Sequence, residues 1–494
     1  MIHILYATKT MSLNASSGFS SVWRSGMQRM KSGNRGIVLL LVSMFLFSGC
    51  QLGKHYTRPQ LDLPATLQDS VQADSLAMAD STSIADYAWE QLYPDTLLQG
   101  LIRKTLAYNK DMLMAAARVK ELAAMKRIDF ANMFPQIGAK VYLERERENY
   151  GGNHKSNSDQ FDLKGVASWE LDLWGNLRWA RDKSLADFMG SIENQRALQM
   201  SLIAQVAQAY FELVSLDNEL AIVKQTVEAR RESLHLVRLR YEGGLISEIP
   251  FRQAQVELSK TVTLVPDLER KITLKENELA FLTGEYPHAI TRAQQSTDVP
   301  LPENLPVGLP SALLERRPDV RQAEQELIAA NASVGVAFTN LFPRIALTAA
   351  AGSESGELSD ILKSPYHLLT ANILQPIFAM GKNRAMLKAK KAAYERATYA
   401  YEKAVLNAFK DAYNAIAEFN KIKEIYDTRL RLEQSAKTTL DLAQLQYVNG
   451  AIGYMDLLDA QRTYFDAQLS LSYAVRDKQI TMVNLYKALG GGWK

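Results

Sequence analysis

Two kinds of hydrophobic pattern alternate along the chain. Phe161, Leu163, Gly165, Ala167, Trp169, Leu171 and Leu173 interleave with Asp162, Lys164, Val166, Ser168, Glu170 and Asp172, the period of a strand with one apolar face. Ile137, Ala139, Val141 and Leu143 interleave in the same way with Gly138, Lys140, Tyr142 and Glu144. Looser alternation near Arg344–Ala351 and Leu368–Phe378 predicts two more strands, with Pro376 at a strand end. Between these pairs the chain is helical in pattern. A helix is predicted from about Asp95 to Asn132, Ala-rich and stopped by Phe134-Pro135. After Gly175 only Gly190 interrupts the chain before Gly243, and after Gly381 neither Gly nor Pro occurs before Gly450. Each run of roughly 65 residues makes a helix on the order of 100 Å long, which implies a coiled coil or a helical tube.

The order of these patterns repeats once. Asp111, Ala115, Phe134, Pro135 and Ile137 recur 208 residues later as Asp319, Ala323, Phe342, Pro343 and Ile345. Gly175 and Arg178 recur as Gly381 and Arg384, a shift of 206. Tyr241, Gly244, Ile246, Ala254-Gln255, Leu279 and Gly284 recur at that shift as Tyr447, Gly450, Ile452, Ala460-Gln461, Leu485 and Gly490. An ordered series across both halves is a duplication. The expected organisation is residues 1–49 as an extension and signal segment, 50–94 as an N-terminal segment, 95–298 as repeat one, 299–310 as a Pro-rich linker and 311–494 as repeat two. Each repeat reads as helix, two strands, very long helix, tight turn, helix.

The strands bear on location. Alternating apolar and polar strands of about ten residues are the signature of a membrane β-barrel, but four strands cannot close one, since the smallest single-chain barrels have about eight. In lipid an open edge costs several kcal/mol per unsatisfied group, so the chain is expected to pool strands with copies of itself. Three copies supply twelve. The competing reading is a soluble sandwich packed on the helices, and Asp162, Lys164 and Glu170 on one face count against it. The fold class expected is mainly α with a membrane β-barrel, four strands per protomer.

Charge and cysteine usage narrow the compartment. The net charge is +3, and the first 49 residues carry Lys9, Arg24, Arg29, Lys31 and Arg35 with no acid. Without them 52 basic residues face 54 acidic ones, and no basic surplus remains for nucleic acid. The lone cysteine, Cys50, excludes an intrachain disulfide. It follows a basic stretch, an apolar run from Ile37 to Phe47 and Ser48-Gly49, the three parts of a signal peptide. That run is too short for a permanent membrane helix. With Cys after the small pair it resembles a bacterial lipobox, although Phe47 stands where Leu is preferred. The pattern is complete from Met27 or Met30, the expected translation start.

Further motifs carry a resemblance. Gly53-Lys54-His55-Tyr56-Thr57-Arg58-Pro59, Leu309-Pro310-Ser311, Arg316-Arg317-Pro318-Asp319-Val320 and Ala329-Ala330-Asn331-Ala332 resemble outer-membrane efflux lipoproteins. So do Trp169 to Gly175, Gln375-Pro376-Ile377-Phe378 and the ending Leu485 to Trp493. Nearly all of residues 50–494 is similar to the TolC-like outer membrane factors of the NodT lipoprotein branch. That resemblance implies a homotrimer with a twelve-stranded outer-membrane barrel and an α-helical periplasmic tunnel. It further implies a passive exit duct, a periplasmic adaptor as partner, an inner-membrane pump of the resistance-nodulation-division class, and lipid on Cys50. Gln51, which is not Asp, fits transfer to the outer membrane. The alternative is a coiled-coil lipoprotein that merely spaces envelope layers, but a spacer needs no amphipathic membrane strands.

The closed end of the tunnel in this family lies at the hairpin turns, here Tyr241–Pro250 and Tyr447–Asp459. Tyr447 matches a gate-bonding tyrosine, and Asp456 and Asp459 match an aspartate ring. Ile452 and Pro250 replace an arginine and an aspartate of the TolC lock. Asp456 and Asp459 share one helix face at i, i+3, so threefold symmetry would gather six carboxylates on one axis. Alternatively they complement the dipole of a first helical turn, worth about 0.3–1 kcal/mol. Gly243, Gly244 and Gly450 are expected to supply positive φ at the hairpin tips, with Gly453 close by. The six histidines form no i, i+4 pair, so no metal site is expected. No nucleophile–base arrangement can be argued from spacing, and no cofactor beyond the lipid at Cys50 is expected.

The signal segment predicts that Cys50 is the acylated N-terminus of the mature chain. Mass spectrometry of purified protein should find an acylated N-terminal peptide. An unmodified Cys50 thiol, or retention of residues 1–49, would refute this.

Overall fold

The computed structural model describes residues 51–64, 83–149, 155–293, 310–375 and 377–493. Cys50, the residues before it, the linker residues 299–309 and Pro376 lie outside the described residues. Both repeats are built alike. Repeat one contributes α1 (Thr96–Tyr108), α2 (Lys110–Ala131), β1 (Gln136–Asn149), β2 (Lys155–Leu171), α3 (Asn176–Glu242) and α4 (Glu248–Leu282). Repeat two contributes α5 (Pro310–Arg316), α6 (Pro318–Thr339), β3 (Arg344–Ser355), β4 (Pro365–Leu374), α7 (Lys382–Val448) and α8 (Tyr454–Ala488). Helices α3 and α7 have 67 residues each, α4 and α8 have 35 each, and α2 and α6 have 22 each.

The helix expected from Asp95 to Asn132 is broken at Asn109. Its ψ of 132° leaves the helical region, and its carboxamide oxygen accepts the N–H groups of Asp111 and Met112. Asn109 therefore caps α2, while its Nδ2 donates to Leu282 O at 2.9 Å. A capping Asn inside an otherwise helical pattern is the signal that propensity alone passes over.

The chain divides into two compact units. The first holds residues 51–54, 132–179 and 335–383. Its antiparallel sheet has the order β1-β2-β3-β4, so β1 and β4 each keep one open edge. The pairings Ile137↔Ala167, Ala167↔Ala349 and Ala349↔Leu369 place one row of apolar residues on a common face. On that face Ile137 is 84% exposed, Val141 66% and Leu369 79%. On the opposite face Asp162 is buried. There Lys164 Nζ bonds Glu354 at 2.6 Å and Asp162 at 3.0 Å and lies 3.9 Å from the centre of the Tyr366 ring. Charged groups are buried around Lys164 on the polar face while the apolar face is bare, the reverse of a soluble sheet and the arrangement of a barrel wall in lipid. Among the described residues no helix is long and apolar enough to cross a membrane.

The strand-to-helix junctions of this unit are aromatic. Trp174 stacks on Phe342 at 5.2 Å and donates Nε1–H to Pro343 O at 2.8 Å. Gly175, at φ +83°, turns β2 toward α3. The Asp172 carboxylate then accepts the Leu177 and Arg178 N–H groups at 3.0 Å and so satisfies the first turn of α3.

The second unit, residues 55–131, 180–334 and 384–493, is helical. One core gathers Leu98, Ile102, Ile203, Val206, Tyr210, Leu213 and Leu279, and a second Leu313, Leu327, Tyr401, Val405, Ala408 and Leu485. Ala207, Ala209, Ala408, Ala412 and Ala415 let long helices approach closely. Tyr56, Leu61 and Leu63 pack on the second core, and Arg58 grips Glu324 through two bonds of 2.6 Å.

Gly352 lies between Lys164 in β2 and Tyr366 in β4, and a Cβ there would sit 2.0 Å from Leu163 O. Gly352→Val should therefore part β2 from β3, costing at least the ~1–3 kcal/mol of an overpacked core. Heat-dependent gel mobility in detergent should lose the compact sheet form while circular dichroism keeps its helical signal. An unchanged mobility transition would refute this role.

Candidate functional site: the hairpin tips

Helices α3 and α7 end in the same motif. At the first tip Leu245 N–H donates to Arg240 O at 2.8 Å and Gly244 N–H to Tyr241 O at 2.9 Å, with Gly244 at φ +75°. At the second Ala451 N–H donates to Gln446 O at 2.8 Å and Gly450 N–H to Tyr447 O at 3.1 Å, with Gly450 also at +75°. These are paired Schellman bonds, which need a residue free to adopt positive φ. Gly244 and Gly450 meet the expectation. Gly243 does not, because it still donates to Leu239 O within the final turn and its φ is not positive. Gly453 caps the N-terminus of α8 with φ −80°.

The tips share a small core of Val237, Ala254, Tyr447, Tyr454, Leu457 and Leu458, with Ile246, Phe251 and Ile452 packed against it. Tyr447 is buried, its ring edge-on to Tyr454 at 6.0 Å. Ile452, in the place of a lock arginine, is an apolar filler of that core. Pro250 is the third residue of α4, where no intrahelical N–H bond is needed. Asp456 and Asp459 are both exposed on one face of α8. Asp456 Oδ2 accepts the Gly453 N–H at 3.0 Å, so this carboxylate also caps its helix.

Four charged residues that the sequence pattern did not single out tie the helices together. Arg240 of α3 lies 4.4 Å from the centre of the Tyr447 ring and donates to Tyr447 O and Val448 O at 3.3 Å. A cation there meets the negative end of the α7 dipole. Further along, buried Arg230 of α3 pairs with buried Glu257 of α4 at 3.2 Å and donates to Glu257 O and Thr261 Oγ1. Glu257 also accepts from Arg462 of α8, whose bond, with burial opposing it, holds the Glu257 carboxyl below the usual carboxylate range. Burial pushes the Arg230 guanidinium down. The readable signal was position: Glu257 falls on the stripe of Ala254, Thr261 and Leu268 that α4 buries. A groove of about 500 Å³ runs beside this network, lined by Glu248, Arg252, Gln253, Lys260 and Arg462.

Among the described residues no cluster of His, Cys, Asp or Glu could hold a metal ion. The tips offer helix ends, a buried charge network and exposed carboxylates. Residues 101–285 and 309–491 match the sequence profile of outer membrane efflux protein, one match on each repeat. The chain belongs to the outer membrane efflux protein family. It is 30% identical over 455 residues to the cation efflux system protein CusC of Escherichia coli, covering 90% of this chain and 96% of that one. It is equally identical over 465 residues to the toluene efflux pump outer membrane protein TtgC of Pseudomonas putida, covering 93% and 96%. The solved outer membrane channel MtrE of Neisseria gonorrhoeae, in its open state, superposes with a TM-score of 0.78 at 29% identity over 90% of this chain and 99% of that one. The chain is accordingly an outer-membrane component of an efflux system, with the helical tunnel and barrel of that family.

Glu257 offers a test of this efflux protein's tip. Its depressed carboxyl contributes stability that is fully present above the ordinary Glu value of about 4.3. That stability is lost as pH falls through the lower folded-state value. Glu257→Gln removes it at every pH and leaves Arg230 buried without a carboxylate, at about 3–5 kcal/mol. Protection factors against hydrogen exchange over 225–265 and 455–470, taken relative to the intrinsic amide rate at each pH, should be low and nearly pH-independent in the variant, whereas the wild type stays protected until acid. Equal protection in both proteins at neutral pH would refute the assignment.

Proposed function

We propose that three copies form a passive, lipid-anchored exit duct whose periplasmic end is closed at the hairpin tips. Cys50 carries the lipid, and a periplasmic adaptor engages the helical end to join the duct to an inner-membrane pump of the resistance-nodulation-division class. The single observation that carries the reading is the inverted sheet: a bare apolar face, charged groups buried around Lys164 on the opposite face, and two open edges. One chain cannot satisfy those edges in lipid, while three copies close twelve strands around a polar lumen. The relatives, named for a cation and for toluene, resemble this chain equally. A duct that does not itself select its cargo fits that breadth, with selection left to the pump.

The gate of this duct is placed at Tyr447, Asp456 and Asp459. Tyr447 is the buried anchor, held by Tyr454 and Arg240. Asp456 and Asp459 stand exposed beyond it, and three copies set like charges around one axis. Hydration, protonation or bound cations must offset that repulsion in the closed state.

Single-channel recording in planar bilayers tests the gate, comparing wild type with a protein carrying both Asp456→Ala and Asp459→Ala. The wild type should be blocked by magnesium added on the periplasmic side, and the double variant much less so. Identical responses would reduce the pair to helix capping and move the constriction toward Tyr447 and Ile452.

A further inference from the structure

The two repeats tie the same helix ends together by different chemistry. In repeat one Asn109 donates Nδ2–H to Leu282 O at 2.9 Å. Its counterpart in repeat two, at the shift of 208, is Arg317, which donates to Ala488 O at 3.2 Å and to Ala408 O at 3.4 Å. Arg317 is buried, and its charge is met by Asp319 at 2.6 Å and Asp411 at 3.3 Å. A neutral amide serves the fold in one repeat. The other places a guanidinium there, and a cavity of about 250 Å³ opens beside it.

That cavity is lined by Arg317, Asp411, Asn414, Glu418, Asn484 and Lys487, from α7, α8 and the residue ahead of α6. Carried back by the shift of 206, Glu418, Asn484 and Lys487 become Glu212, Glu278 and Phe281. In repeat one Glu212 of α3 pairs with Lys275 of α4 at 2.7 Å, and Lys275 also holds Glu278 at 2.6 Å. That network is closed, and Phe281 beside it is exposed. In repeat two the lysine is lost, since Lys275 becomes the buried Thr481. Among the described residues Glu418 then has neither an ion pair nor a hydrogen bond. Lys487 brings a cation back further along α8. Its ammonium donates to Ser201 Oγ at 3.3 Å and, among the described residues, pairs with no carboxylate. Burial, with Arg317 adding to it, pushes the pKa of that ammonium down.

We infer that this cavity binds a small molecule carrying a carboxylate and an ammonium group together, of the amino-acid class. Lys487 takes the carboxylate, and Glu418 takes the ammonium. Two opposite charges that line one cavity without pairing fit a ligand that holds both. A simple anion there meets Glu418 and Asp411, and a simple cation meets Lys487 and Arg317. The volume lies below the roughly 300–1,000 Å³ of sites for drug-sized ligands, so the occupant is small. Asn414 and Asn484 add amide groups to the wall, and Gln208 of α3 holds Asn484 through its Oδ1 at 2.5 Å. The ligand's ammonium stands in for the lysine that repeat two has lost. Bound, the ligand ties α7 to α8 as the Glu212–Lys275 pair ties α3 to α4.

Isothermal titration calorimetry of the full chain in detergent tests the site. Glycine, β-alanine and γ-aminobutyrate serve as zwitterions of increasing charge separation, with acetate and methylamine as singly charged probes. At least one zwitterion should bind, and both singly charged probes should bind it about tenfold more weakly or worse, the loss of one charge-assisted contact. Lys487→Met and Glu418→Gln should each weaken the zwitterion by about tenfold or more. Glu212→Gln, at the matching place in repeat one, should leave its binding unchanged. Glu418 is exposed, so Glu418→Gln keeps the test readable should the Lys487 variant misfold. No binding by any of the three zwitterions, acetate binding as tightly as they do, or full binding in Glu418→Gln would overturn the site.

Discussion

The structure depends on one constraint: a backbone N–H or C=O facing hydrocarbon has no water to bond. Each protomer carries a sheet with two open edges, and its apolar face is the one left bare. In water such a sheet is an aggregation hazard, while in lipid the same edges can be satisfied only by closure. The polar groups are gathered on the other face, where Lys164 is held by Asp162, Glu354 and the Tyr366 ring. A slip of one residue would put that lysine into lipid, so the charge cluster also pins the ladder register.

The helical unit solves a different problem. A helix of 67 residues gains little from local propensity and must bury a stripe along its whole length. The alanines of α3 and α7 allow neighbouring helices to approach closely, and separate clusters of larger side chains follow one another along the rods. Toward the tips the stripe becomes mixed. Arg230 and Glu257 occupy positions that hydrophobic residues fill elsewhere, although an apolar replacement for a buried ion pair is often neutral or stabilising. Arg240 joins α3 to the end of α7, and Glu257 joins α4 to α8.

Among the described residues no group of His, Cys, Asp and Glu could hold a metal ion, and the chain's family is that of outer membrane efflux proteins. What it supplies to efflux is geometry: strands for an outer-membrane wall and long helices for the tunnel.

The sequence by itself determined the element types, the duplication and the environment of the sheet. Periodicity is set by covalent geometry, two residues for a strand and 3.6 for a helix, so it survives without tertiary knowledge. The long helices begin and end where Gly175, Gly243, Gly381 and Gly450 placed them. Tertiary structure decided what depends on neighbours distant in the chain. Asn109 interrupts a helical pattern because its amide bonds Leu282 O, 173 residues away. The left-handed turn falls at Gly244 rather than Gly243, since Schellman bonding requires positive φ one residue beyond the last helical turn. Arg240, Arg230 and Arg462 read as ordinary surface charges until four helices bring them to their partners. Local sequence sets which face of an element is apolar, but which charge meets which carbonyl is a property of packing.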